Sequence, residues 1–183
     1  MRTPVLALLA GMSVAGAAIA AAPQPSRPVP ASFYSGRWYE IARIPNIGQR
    51  DCQAPETRFA RIGDAGETRF ISDQGEFSVR QTCHRGSAAG PAKVYVTRGR
   101  ILPGAGNARF EMVFLGGLKH QEYWVLDTAP DQSWAIMATP GGNYVWLLSR
   151  RPVMPPAVRA AAVARIRALG YGQRLEFPTP AAT

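Results

Sequence analysis

Cysteine, histidine and acidic side chains are all scarce in this sequence, and each scarcity removes a class of function. There are two cysteines, Cys52 and Cys83, with no histidine between them. That is a poor zinc site, and in an oxidising compartment an isolated pair reads as one disulfide. The two histidines, His84 and His120, stand at strand ends or loops, where a ring is usually solvated. Neither has a Gly-x-Ser-x-Gly elbow, a cysteine nucleophile or a metal-ligand spacing beside it. No catalytic residue, metal site or cofactor is therefore expected. Twelve Asp and Glu face 21 Lys and Arg, for a net charge of +9. Such a balance suits nucleic acid, a membrane surface or anionic ligands. The arginines are scattered singly among strands, which argues against nucleic acid and leaves an anionic lipid surface or ligand. Internal repeats and low-complexity blocks are missing as well.

The one long apolar run, "VLALLAGMSVAGAAIAAA", follows Arg2 and ends in small residues. It reads as a signal peptide over 1–20 with cleavage after Ala18-Ile19-Ala20. No cysteine near that point offers a lipid anchor, so a soluble periplasmic or secreted protein is expected. A Pro-rich lead over 21–32, one domain over 33–177 and a tail over 178–183 complete the division, the domain being long enough to bury a core.

Most of what remains is strand-like. "RWYEIARI", "ETRFARI", "TRFIS", "EFSVRQT", "AKVYVTRGRI", "ARFEMVFL", "EYWVLDT", "SWAIMAT" and "YVWLLSR" are short, β-branched or aromatic, and separated by turn residues. One helix follows in "PPAVRAAAVARIRALGYG", with Pro155 and Pro156 at its start and Gly170 at its end. Val158, Ala162, Ile166 and Leu169 share one face, and Arg159, Arg165 and Arg167 lie largely elsewhere. "YVWLLS" and "EYWVLD" are apolar on both faces, so part of the outer wall needs a cover. The expected fold is all-β: an eight-stranded antiparallel up-and-down barrel with the C-terminal helix packed outside.

Three ordered strings carry a family resemblance. "SGRWYEIARIPN" resembles the first signature of the lipocalins, "YWVLDTAPD" the second and "YVWLLSRRPVMPP" the third, and the flavour is that of the bacterial lipocalins. The resemblance implies that Trp38 sits at the closed end of the barrel against Arg150, after a turn at Gly36. These three are expected to be structural. It also places Asp127 in a turn, hydrogen-bonded to backbone.

Side-chain alternation then nominates the wall. If Arg150 points inward, so do Leu148, Trp146 and Tyr144, and Trp38 turns Glu40 and Ala42 inward. Phe110, Met112 and Phe114 face in, with Arg109, Glu111 and Val113 facing out, and Tyr123 and Met137 are further candidates. Glu40, the one carboxylate placed inside, is expected to pair with an interior arginine or tyrosine, or else to meet a polar head group. An interior of this kind suits a fatty acid or lysophospholipid. Carriage of that small hydrophobic ligand is the expected function, with peripheral contact to an anionic membrane surface. The alternatives are a lipocalin-fold enzyme acting on a lipid or small hydrophobe, and an interaction module whose barrel is filled. The stretch 63–75 is expected to be either a longer pair of strands or a flap over the mouth. An antiparallel pairing of "ETRFARI" with "EFSVRQT" centred near residues 67–69 brings Cys52 and Cys83 to one strand end, within bonding distance.

Overall fold

Side-chain alternation shapes the molecule, and it is broken at three places among the described residues. The computed structural model describes residues 21–61, 75–172 and 174–180. Among them, the strands β1 (Gly36–Arg43), β2 (Cys52–Arg61), β3 (Glu76–Arg85), β4 (Ala92–Ile101), β5 (Arg109–Phe114), β6 (Lys119–Thr128), β7 (Trp134–Ala138) and β8 (Val145–Ser149) pair antiparallel in chain order, and β8 returns to β1 to close the barrel. The expected strand "TRFIS" and the 63–75 question lie outside the described residues, except for Gly75. The strand ends that flank that connection, Arg61 and Glu76, belong to the barrel end opposite the cavity described below.

Ile41 is an extra residue in β1. Glu40 pairs with Leu148, but Ala42 pairs with Leu147 and Arg43 with Trp146. Such a bulge sets two residues opposite one and reverses the alternation beyond it. Ala42, expected inside, is therefore buried in the outer wall, and Arg43 points inward in its place. A second bulge puts Leu126 opposite no single partner, between Val125↔Met137 and Asp127↔Ile136, and a third sets Ala54 and Pro55 opposite Cys83, between Gln53↔His84 and Glu56↔Thr82.

These parities divide the apolar residues into two cores. One fills the closed half of the barrel: Phe33, Tyr34, Trp38, Phe59, Phe77, Phe110, Met112, Val125 and Leu148 among others. The second lies on the outer wall, where Trp124, Leu126, Ile136, Val145 and Leu147 are covered by the helix α1 (Pro156–Ala168). Strands apolar on both faces thus serve both cores. The helix buries Ala162 and Ile166, while Leu169 is half-buried. Val158, expected on the same face, is exposed. Burying an isoleucine such as Ile166 contributes about 1.5–3 kcal/mol. Asp127 accepts from Arg165 at 2.6 Å and from the Thr128 backbone at 2.9 Å. It lies inside β6 beside the bulge, not in a turn, and fastens the helix. Gly170 ends α1 in the left-handed region at φ +97°, where a side chain would be strained.

The Pro-rich lead runs along the barrel instead of hanging free. Ala22 bonds the Pro140 carbonyl near one end, and Val29 bonds Gly106 near the other; both are buried. Cys52 and Cys83 are disulfide-bonded with Cα atoms 5.4 Å apart, as expected, although the ladder pairs Cys52 with Arg85 and the two cysteines meet diagonally beside the β2 bulge.

Candidate functional site

An up-and-down barrel has two ends, and chain direction sorts the loops between them. β1 starts at the end that holds Trp38, so the connections after β1, β3, β5 and β7 gather at the opposite end. The first end is plugged. A 3-10 turn over Ala31–Tyr34 inserts Phe33 and Tyr34, both fully buried, among Trp38, Phe59, Phe77 and Phe110. Ring centroids at 4.8–5.3 Å in tilted and edge-on pairs are favourable arrangements. The Trp38 indole donates to the Phe33 carbonyl at 3.1 Å, and the Tyr34 hydroxyl donates to the Asn107 carbonyl. Burial pushes the Tyr34 hydroxyl far above its ordinary value, so it stays a neutral donor. Gly99 completes the plug: the Phe77 ring lies across it where a Cβ would stand.

Arg150 closes the plug from outside. Its guanidinium sits 3.7 Å from the Trp38 ring centre and donates to the carbonyls of Ser35 at 2.7 Å and Arg37 at 3.2 Å. Burial pulls it down to about 10, which leaves it charged at neutral pH. Gly36, at φ +71°, makes the tight entry beneath that guanidinium.

Above the plug is a cavity of about 780 Å³. One wall is apolar, with Met112, Phe114, Tyr123, Met137, Trp146 and Leu148 beside Phe59, while Glu56, Thr57, Gln81 and Thr82 of β2 and β3 line the other. Tyr123 stacks on Phe110 at 5.4 Å and tilts against Trp146 at 5.7 Å. Its hydroxyl is raised to about 12 by burial.

A polar network joins this wall to the β1–β2 loop. The Trp146 indole donates to Gln49 Oε1 at 2.9 Å, and Gln49 Nε2 donates to Glu40 Oε2 at 2.7 Å. Arg43, fully buried, donates to Glu40 and Glu176 at 2.6 Å each and to the carbonyls of Gln49 and Cys52. Burial raises the Glu40 carboxyl above its ordinary value, and Arg43 and Gln49 pull against it. Asn46 caps the 3-10 turn over Ile47–Gln49 by accepting from the Gln49 backbone at 3.0 Å. Its amide donates to Gln49 Oε1 at 2.7 Å. Held at both ends, Gln49 keeps the loop folded over the cavity edge.

The mouth is basic. Arg50, Arg85 and Lys93 line it, with Asp51 as an opposing acid and the Cys52–Cys83 bridge holding β2 to β3 beside them. The cavity thus joins an apolar wall to a cationic rim.

Of the residues nominated from sequence, Glu40, Met112, Phe114, Tyr123, Met137, Trp146 and Leu148 all border this cavity. Phe110 lies lower, sealed in the plug. Tyr144 sits outside the wall, 36% exposed and tilted on Trp146. Glu111 faces out as expected, beside Arg100 and His120. Neither histidine is merely solvated: His84 Nδ1 is 2.9 Å from the Gly90 carbonyl, and His120 Nδ1 is 3.0 Å from Glu111. Neither borders the cavity. Arg43 escaped alternation because of the bulge. Gln49 had a signal, an Asn followed three residues later by Gln, which is a helix-start pattern.

The comparisons agree with this geometry. No curated protein sequence matches the chain. Among solved structures, insecticyanin from the tobacco hornworm Manduca sexta shares 16% identity at a TM-score of 0.63, over 85% of this chain and 82% of that one. H1 crustacyanin from the lobster Homarus americanus shares 13% at 0.57, over 85% and 79%. The siderocalin Ex-FABP, described as having dual ligand specificities, shares 17% at 0.55, over 83% and 97%. At such identities the likeness concerns the fold. A family model, however, the lipocalin-like domain, matches residues 29–180, from the buried Val29 through the whole barrel and helix, and the chain belongs to that family.

Proposed function

We propose that this protein binds and carries an anionic amphiphile, a fatty acid or lysophospholipid, tail down in the barrel, within the periplasm or outside the cell. The observation that carries the reading is the make-up of the cavity: aromatic and thioether side chains form one of its walls, and Arg50, Arg85 and Lys93 line its mouth. The volume falls within the range of small-molecule sites, roughly 300–1,000 Å³. Each buried methylene contributes about 0.8 kcal/mol, so a tail of about twelve carbons supports micromolar binding after association losses. Arg50, Arg85 and Lys93 then hold the head group at the rim. The likeness to Ex-FABP, a protein described by its ligand specificities, supports a ligand-binding role. A 780 Å³ cavity also counts against the filled interaction module. Catalysis draws no support from the histidines, each of which is committed elsewhere.

Native mass spectrometry of protein purified from its own host tests the reading. Co-purifying fatty acid or lysophospholipid is the expected result. Protein that is ligand-free and fails to displace a fluorescent fatty-acid probe would remove it.

A further inference from the structure

Large apolar side chains scattered over a surface need no explanation. Here they are not scattered. The three most exposed among the described residues are Leu118 at 88%, Ile47 at 81% and Leu115 at 75%, and all three stand on the loops at the cavity mouth. Ile47 belongs to the β1–β2 loop, and Leu115 and Leu118 to the β5–β6 loop. Leu115 is doubly unfavourable, since its φ of +53° lies in the left-handed region that disfavours a leucine. Gly116 and Gly117, at φ +65° and +107°, complete a tight turn that holds both leucines out in water. A backbone outlier that presents an apolar side chain to solvent points to a role for that side chain.

Charge surrounds the same loops. Arg50, Arg85, Lys93 and Lys119 are exposed, and none has a carboxylate partner among the described residues. Lys93 is steadied by the Tyr95 ring, 4.7 Å from its ammonium. The acids nearby are mostly engaged: Glu40 and Glu176 by Arg43, Glu56 by Arg37 at 3.4 Å, and Glu111 by Arg100 and His120, which leaves Asp51. Apolar tips within a cationic ring match the interface of an anionic bilayer, where apolar groups enter the acyl boundary and basic groups meet the phosphates.

We infer that the mouth is a docking surface for an anionic phospholipid bilayer, with Leu115 and Leu118 entering the interface. Docked in this way, the cavity opens directly onto the membrane, so an amphiphile passes between bilayer and barrel without crossing water. The inference rests on the carrier reading for the identity of what is exchanged, but not for the docking itself.

The test is co-flotation with vesicles of phosphatidylcholine alone or with phosphatidylglycerol added, using wild type and the double variant Leu115→Asn, Leu118→Glu. Neither residue borders the cavity. Wild type should float with the phosphatidylglycerol vesicles and lose them in high salt. The variant should bind at least tenfold more weakly and deliver a fluorescent fatty acid from vesicles correspondingly slowly, with its affinity for that fatty acid in solution unchanged. Equal flotation of wild type and variant, or equal binding to neutral vesicles, overturns the inference. A wild-type dimer in solution that the same two substitutions dissociate, with no vesicle binding, would assign the surface to a second copy and overturn it too. If flotation behaves as expected but no fatty acid binds in solution, the docking stands and the carrier reading falls.

Discussion

Arg150 covers the Trp38 indole at 3.7 Å while its nitrogens reach the Ser35 and Arg37 carbonyls, so one side chain joins the last strand to the entry of the first. The pair closes the barrel at the plugged end. A guanidinium on an aromatic face contributes about 0.5–2 kcal/mol, and its fork satisfies carbonyls that the barrel leaves over.

Trp38→Ala should lower stability by about 3–5 kcal/mol, because it empties a fully buried site and strips Arg150 of its platform. Denaturant titration measures this. A midpoint equal to that of wild type would show that the indole is not what seals the plug.

Trp146→Ala should act on binding more than on folding. The ring borders the cavity, is only half-buried, and positions Gln49 through its indole N–H. Displacement of a fluorescent fatty acid should show weaker affinity at a modest cost in Tm. Unchanged affinity would take β8 out of the site.

The Cys52–Cys83 bridge joins residues 31 apart in sequence. On the loop-entropy model, Cys83→Ser should lower stability by roughly 3–4 kcal/mol. Thiol titration of unreduced, unfolded wild type should find no free cysteine, and two reactive thiols would contradict the pairing.

Glu40 sets a pH dependence with a definite sign. Burial holds its carboxyl above the ordinary value, despite Arg43. Stability from such a raised group is present below the unfolded value, about 4.3, and is lost as pH rises through the folded one. Tm of wild type and Glu40→Gln should therefore converge near the acid end, with wild type falling below the variant as pH rises. Parallel curves across that range would mean that the Arg43 ion pair fully offsets the burial of Glu40.

Much of the architecture was legible because its causes are local. Strand after strand alternates, β6 and β8 are apolar on both faces and so call for the covering helix, and Pro156 and Gly170 mark that helix's ends. Two cysteines, with no third to compete, determine their own pairing. Once the resemblance puts Arg150 at the barrel end, Trp146 and Leu148 follow by period two, since no bulge interrupts Val145–Ser149.

Other features were decided only by the tertiary structure, for two physical reasons. A bulge is one residue of slippage against a partner strand far away in sequence, so nothing in "YEIAR" announces that Ile41 is the extra residue. That slip alone turns Ala42 outward and brings Arg43 inside, onto Glu40 and Glu176. The mouth, in turn, is assembled from loops separated by long stretches of chain, and only closure of the barrel sets Arg50, Arg85 and Lys93 around one opening. The sequence by itself determined a barrel with a lidded wall and an aromatic interior. Where its charges gather depended on three-dimensional closure, because proximity across strands is not a property of any local pattern.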